Sequence, residues 1–504
     1  MGIVFRQSAK TSIIVFIGSV LGAVIIWLST KYIEDKHQFG FVQNLTNNAV
    51  TLSQVLLFGL NSTLAVYIQR FINNDRKRKL LLTICFAIPA ILSVFAIGLY
   101  YLLRSWVIGH FQLADEQYVK RYYDLLPVYV LLFLYQVLLE QYLGSQMKVA
   151  MAAFMREVLL RFINIALLLL YGFQMISFHY FVSGMVLMYI VPVAIFLLLS
   201  MKTKAFGFSL SKDGFTKAEY TDIIHFSWYH FLLTMALMLM FTMDMLLLPF
   251  YDRDGFGALA VYRVAVFFIS FLQLPSKALI PASLTVLAKA FAEEDLKKAK
   301  DIFIRSSINI LIPSLAMALI ICCNIQNAVF VIKNGYGEIV PVFLILIIGT
   351  LFNIATGMND QVLSIAKYYK LNFYLSLFLI VVLFLSLKFF VPIYGLYGAA
   401  WSTTLTLILF NIAKFIFVWK KLDMQPFSKS TVLVLVAAVP ALIAGYYFPH
   451  FFDQAHHVYV RTFADASLRS IAILVVYFLM LLWLKPSKDL VEYIASIRKN
   501  KRLY

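Results

Sequence analysis

Apolar runs of membrane length recur along the whole chain, separated by short polar clusters. They predict fourteen helical spans, at about 11–31, 41–68, 81–103, 121–143, 157–174, 179–200, 223–249, 257–284, 303–323, 338–360, 371–390, 394–419, 431–449 and 467–485. Each is near or above the roughly 20 apolar residues that a helix needs to cross a bilayer. None shows the ten-residue alternation of a membrane barrel, so helix is the only reading. The expected fold is an all-α polytopic membrane protein, with about fourteen transmembrane helices in two lobes around a central cavity. The segment 202–222, rich in Lys, Ser and Gly, separates an N-terminal lobe of six spans (1–201) from a C-terminal lobe of six (223–419). Residues 420–504 add a further helix pair and a basic tail.

Composition agrees with the pattern. Of 504 residues, 62% are hydrophobic and only 13% charged, and the mean hydropathy is +0.84. A soluble protein carries about 25% charged residues. The net charge of +18 does not imply nucleic-acid binding, because the cations lie mostly between apolar segments. They serve topology instead. With the N-terminus in the cytoplasm, 31 Lys and Arg fall inside, 10 fall outside, and Arg263 and Lys277 alone are left in the membrane. That bias predicts an even span count with both termini cytoplasmic. The first apolar run lacks a small-residue cleavage site, so it reads as a span rather than a signal peptide. Cys85, Cys322 and Cys323 have no C-x-x-C spacing, so neither a disulfide framework nor a metal site is expected. No P-loop, G-x-S-x-G or H-E-x-x-H motif occurs, so the chain does not read as an enzyme.

Charges inside apolar spans cost on the order of 2.5–3.5 kcal/mol each on insertion scales, which makes them candidate functional groups. The stretch Thr242–Glu294 concentrates them. Arg263 and Lys277 are 14 residues apart, which on an unbroken helix sets them about 40° apart around the axis. A basic ladder of this kind suits phosphate oxygens. Asp244 lies at a depth similar to Arg263 and is either its ion-pair partner or a coupling carboxylate. The second span carries Asn44, Asn47, Asn48, Thr51, Gln54 and Asn61, mostly along one helical face. It reads as a cavity wall for sugar hydroxyls, or as interhelical polar contacts. Arg121 and Asp124 at an outer end, with Glu140 and Asp360 near inner ends, are candidate gates. His225 and His230 flank Trp228 and Tyr229 as interfacial anchors, and His456-His457 falls in an outer loop. A weak internal repeat at an offset of 217 matches Gly40 with Gly257 and Phe58-Gly59 with Pro275-Ser276.

The order Asp244, Gly257, Tyr262, Leu274-Pro275, Ala278 and Pro281 before a charged inner loop resembles the start of the second lobe in Wzx-type polysaccharide flippases. These belong to the MATE-like multidrug/oligosaccharidyl-lipid/polysaccharide exporter superfamily. The N-terminus, Met1-Gly2 through Arg6-Gln7-Ser8 into a helix with Gly18 and Gly22, is similar to that group as well. The resemblance implies a flippase that moves an oligosaccharide repeat unit, linked to undecaprenyl pyrophosphate, across the bacterial cytoplasmic (inner) membrane by alternating access. The product would feed O-antigen, lipopolysaccharide, capsule or exopolysaccharide synthesis. Its expected partners are the lipid-linked oligosaccharide, membrane lipids and the polysaccharide polymerase or ligase machinery. No cofactor is expected; protons, sodium or the membrane potential are the candidate drives. The alternatives are a cation-coupled multidrug exporter of the MATE type and a membrane polymerase or ligase. The short outer loops speak against the enzyme.

Overall fold

The computed structural model describes residues 2–146, 149–203, 206–209, 214–332, 335–366, 368–449, 458–487 and 489. The basic tail from 490 onward, part of segment 202–222, and His456-His457 lie outside the described residues. Among the described residues every regular element is a helix. A first compact unit, Met1–Ala260, contains α1 (Gly2–Tyr32), α2 (Lys36–Leu57), α3 (Leu60–Arg70), α4 (Asp75–Leu102), α5 (Arg104–Gly109) and α6 (Leu113–Arg121). It continues with α7 (Leu125–Ser145), α8 (Val149–Phe154), a π-helical turn (Met155–Leu159), α9 (Leu160–Gly172), α10 (Phe178–Leu187), α11 (Ile190–Met201) and α12 (Lys217–Tyr251). The boundary falls within α13 (Phe256–Leu272). The second unit, Val261–Tyr504, holds α14 (Leu274–Ala292), α15 (Leu296–Val331), α16 (Ile339–Ala355), α17 (Asn359–Ile365), α18 (Tyr369–Leu422), α19 (Lys429–Tyr446) and α20 (Val458–Leu484).

In the first unit α2 packs on α7 and α12, α3 on α7, and α1 on α8 and α9. Because α12 lies on α2 and α3, this unit extends past segment 202–222 as far as Ala260. In the second unit α15 is central, touching α14, α16, α19 and α20, while α18 packs on α16 and α17.

Local sequence sets where the helices start. Asp35 caps α2 by accepting from His37 N at 2.8 Å, and Asn74 caps α4 by accepting from Lys77 N at 3.1 Å. Thr216 and Glu219 form a reciprocal capping box at the head of α12.

Glycines set where spans bend. Between α2 and α3 the axis turns 47° at Phe58 (φ 50°) and Gly59 (φ 74°). Only glycine fits there, because a Cβ on Gly59 would lie 2.1 Å from the Ser227 carbonyl oxygen. Between α16 and α17 the axis turns 40°, with Gly357 at φ 65°. α13 stops at Leu272 and α14 restarts at Leu274, two residues from the position that the 217-residue repeat matches with Phe58.

Nine helices among the described residues are long and apolar enough to cross a membrane, or eleven if each bent pair is one span. The chain is therefore a multi-pass membrane protein. Fourteen spans were expected, and the difference has physical sources. α18 is two helices joined across a kink at Gly395 (φ 56°, ψ −136°), where two expected spans meet. The expected fifth span starts in the π-helical turn, which leaves α9 only 13 residues long.

Candidate substrate site

α2 carries the polar stripe, and the structure divides it. Asn44 and Asn48, one turn apart, line a cavity of about 220 Å³ with Phe41, Tyr100, Tyr122 and Phe250 among its walls. Asn48 Nδ2 donates to Asn44 O at 3.0 Å and to Asn44 Oδ1 at 2.9 Å. Asn44 is only 4% exposed, and its Nδ2 has no partner. A buried amide donor left unsatisfied costs about 1–3 kcal/mol, so this wall is set for a ligand or water that accepts from it. Asn47 points elsewhere, donating to Met245 Sδ of α12 at 3.7 Å. Thr51 Oγ1 bonds back to Asn47 O at 2.8 Å. Gln54 is half-buried, and Asn61 is half-buried beyond the 47° bend, so the single straight face expected from 44 to 61 does not exist.

Aromatic rings stiffen the cavity. Tyr100 and Tyr123 stack at 4.1 Å with 11° between planes, and each hydroxyl donates to the other residue's carbonyl. Phe41 packs on Tyr118, Tyr122 and Phe256.

A polar knot closes one end of this unit. Asp115, fully buried, accepts from His37 Nδ1 at 2.8 Å and from Phe256 N at 2.7 Å. His37 Nε2 faces Asp254 Oδ1 at 3.4 Å, and Lys36 Nζ reaches Asp254 Oδ2 at 2.7 Å. With a carboxylate at each ring nitrogen, both nitrogens are donors and the ring is the imidazolium. Burial alone would raise the Asp254 carboxyl, but hydrogen bonds from His37 and Lys36 outweigh it and hold it below its ordinary value. The backbones are correspondingly close: a Cβ on Gly40 would lie 1.8 Å from the Phe256 carbonyl oxygen. Sequence reading missed His37, Asp115 and Asp254. The available signal was two acids and a histidine at helix starts and turns, which look like ordinary caps.

The remaining candidates fall in separate places. Asp244 is buried, and its Oδ1 accepts from Met245 N at 2.8 Å. Arg263 is half-buried on α13, whereas Lys277 is exposed on α14. Gln273, at φ −87° and ψ −8°, separates α13 from α14 between them, while Phe256–Pro281 still forms one apolar span. Arg121 lies over the Tyr122 ring at 5.7 Å, while Asp124 accepts from Tyr101 Oη at 3.0 Å. Glu140 pairs with Arg156, within a network that includes Glu157 and Arg161 near the π-helical turn.

Two cations that the inside–outside count assigned to a side of the membrane are buried within their helices. Lys414 on α18 is completely buried, with Nζ 2.5 Å from Asp360 Oδ1 and 3.3 Å from the centre of the Phe410 ring. Arg469 on α20 is buried beside Asp465 at 3.1 Å and donates to Cys323 O at 2.9 Å. Both lie within a few turns of a helix end, which is why the inside–outside count assigned each to a side of the membrane.

No protein-family model matches the chain, and no curated protein matches it. Solved structures do. The chain is similar to the lipid II flippase MurJ in an inward closed conformation, with a TM-score of 0.66 and 15% identity, over 95% of this chain and 99% of that one. It is similar to an inward-facing multidrug resistance MATE family transporter of the MOP superfamily, with a TM-score of 0.64 and 15% identity, over 82% of this chain and 94% of that one. A MOP superfamily transporter from Pyrococcus furiosus, described as having a binding pocket of reverse polarity, matches with a TM-score of 0.56 and 13% identity, over 83% of this chain and 96% of that one. The fold is therefore that of the MATE and MurJ transporters.

Proposed function

We propose that this chain is a flippase for a sugar carried on a lipid pyrophosphate, working by alternating access in a bacterial cytoplasmic membrane with both termini inside. The observation that carries the reading is Asn44: a buried amide with an unpartnered donor, on the wall of an aromatic cavity, in a chain with a MurJ-like fold. Aromatic faces and neutral amides suit sugar rings, which offer C–H faces and hydroxyls together. Arg263 and Lys277 supply cations for the pyrophosphate. Asn48 shares this wall, Thr51, Gln54 and Asn61 are further neutral polar contacts for the sugar along α2 and α3, and Asp244 serves as ion-pair partner or coupling carboxylate. A polysaccharide polymerase or ligase would take the product.

Reconstitution with a fluorescent undecaprenyl-pyrophosphate oligosaccharide and a leaflet-protection assay tests the reading. Movement across the bilayer is expected, and it should fall at least tenfold in Arg263→Ala. No movement under any ion gradient would overturn it. The second reading, a cation-coupled multidrug exporter, draws support from the buried carboxylate of Asp244 and the MATE-like fold. It predicts drug efflux that is lost in Asp244→Asn.

A further inference from the structure

The cavity beside α2 offers a ligand a small and countable set of hydrogen-bonding groups. Asn48 Nδ2 uses its two N–H groups on Asn44, reaching the backbone oxygen at 3.0 Å and Oδ1 at 2.9 Å. Asn44 Nδ2, on a residue only 4% exposed, has no partner. Asn48 Oδ1 accepts from none of the described residues. A free amide donor and a free amide acceptor are thus held side by side, because the two side chains that carry them are bonded to each other. The hydroxyls of Tyr100 and Tyr123 spend their protons on each other's backbone oxygens. Phe41, Phe111 and Phe250 stand among the apolar walls.

The walls are also neutral. Among the described residues no charged side chain lines the cavity. Arg104 and Arg121 are exposed and lie over the Tyr123 and Tyr122 rings at 5.2 and 5.7 Å. Asp115 is spent on His37 and on Phe256 N. A sugar ring brings several hydroxyls, each both donor and acceptor. Taken from water into this cavity, most of them would lose their partners, which is costly. An acetamido group asks for less: one carbonyl, one N–H and one methyl. The volume of about 220 Å³ is several times the roughly 30 Å³ of a water molecule, so a group of this size has room.

We propose that this cavity is an acetamido subsite, which selects a cargo sugar bearing an N-acetyl group over one that carries only hydroxyls or a carboxylate. Asn44 Nδ2 donates to the acetamido carbonyl, and Asn48 Oδ1 accepts from its N–H. The methyl lies against the apolar walls. Each polar atom of the group then has a partner, and the buried donor of Asn44 gains the one it lacks. A plain hydroxyl in the same place leaves the methyl's share of the apolar wall uncovered. A carboxylate meets no cation in the cavity. The inference rests on the flippase reading and names the class of sugar that the reading leaves open.

The test is the leaflet-protection assay on the full chain in proteoliposomes, with three fluorescent undecaprenyl-pyrophosphate conjugates that differ only in the sugar: N-acetylglucosamine, glucose and glucuronic acid. The wild type should move the acetamido conjugate at least about tenfold faster than either of the others. In Asn44→Leu the ratio between the acetamido and glucose conjugates should fall below about threefold, because the acetamido conjugate loses the stronger contact. Thermal scans confirm that the variant is folded, and the wild-type comparison decides the matter should it unfold. Wild-type rates for glucose or glucuronic acid that match the acetamido rate overturn the subsite. So does a ratio that survives in folded Asn44→Leu, which would make Asn44 the partner of a ring hydroxyl. In either case, movement of the glucose conjugate that is lost in Arg263→Ala leaves the flippase reading standing. No movement of any of the three conjugates overturns both.

Discussion

The bent spans α2–α3 and α16–α17 use one backbone device with opposite chemistry. Each puts a glycine at positive φ in the break and sets it against a serine of a neighbouring helix, Gly59 on Ser227 and Gly357 on Ser307. Each ties its freed groups with a hydroxyl: Thr63 Oγ1 meets Ser227 Oγ at 2.6 Å, and Thr356 Oγ1 meets Asn411 Oδ1 at 2.9 Å. Around the first bend the stripe is neutral, made of asparagines, threonine and glutamine. Around the second it holds an ion pair between the buried Lys414 and the half-exposed Asp360. A broken helix gives room for polar groups inside an apolar bundle. The side chains placed there then decide whether the room suits hydroxyls or charge.

The largest effects should come from the glycines. In Gly59→Ala the new Cβ meets a backbone carbonyl oxygen at 2.1 Å, which no rotamer can relieve. In Gly357→Ala it meets the Ser307 hydroxyl at 1.9 Å, which can turn away, and the Ser307 Cβ at 2.7 Å, which needs a small shift of the helix. Both also incur the left-handed penalty of about 1–2 kcal/mol. Gly59→Ala should therefore cost more than about 3 kcal/mol or prevent accumulation, whereas Gly357→Ala should cost less than Gly59→Ala but more than that penalty. Thermal unfolding in detergent measures both, and equal losses would show that the bends are not held differently.

Next come the charges. Asp360→Asn leaves the Lys414 ammonium buried and unpaired, a loss of about 3 kcal/mol. Lys414→Met leaves a half-exposed carboxylate and should cost about 1 kcal/mol, because solvent screens it. The double variant should return close to wild type. A cycle in which both single variants lose the same amount would contradict the buried placement of Lys414.

In the first unit, His37→Ala strips the cation from the fully buried Asp115 and should cost about 2 kcal/mol, with little response to salt. Lys36→Ala removes a half-exposed pair and should cost under about 1 kcal/mol, less in high salt. Acid adds a direction. Asp254 is depressed in the folded state, so its pairing contributes above the ordinary carboxylate range near pH 4 and fades as pH falls through the lowered folded value. The gap between wild type and Lys36→Ala should close on acidification. A gap that widens would reject the pairing.

Much of the fold was legible in hydrophobic run length, because a bilayer-length apolar segment has few alternatives to a helix. The stripe at Asn44 and Asn48 was legible from its four-residue spacing. Bends were harder to read. Phe58-Gly59 entered only as a repeat match, and a straight-helix projection carried the face on to Asn61 across a 47° turn. Lys414 and Arg469 escaped because charge counting assumes that a cation near a helix end reaches water, whereas each is buried and paired, with the half-exposed Asp360 and the buried Asp465. The knot of His37, Asp115 and Asp254 joins residues up to 217 positions apart in the chain, and no local pattern announces it.

The smallest stability effect should be the most informative one for function. Asn44 Nδ2 already lacks a partner, so Asn44→Leu removes an unsatisfied donor and keeps the side-chain volume. It also takes an acceptor from Asn48, whose Nδ2 retains the Asn44 backbone oxygen at 3.0 Å. These two changes nearly offset, and stability should move by less than about 1 kcal/mol in either direction. Transport depends on the lost donor alone. If the cavity takes a sugar hydroxyl, the leaflet-protection rate should fall at least tenfold while the melting temperature holds, a separation that a purely structural asparagine would not produce. Loss of both together would return Asn44 to the role of a packing contact, and the neutral bend would then have no ligand to distinguish it from the charged one.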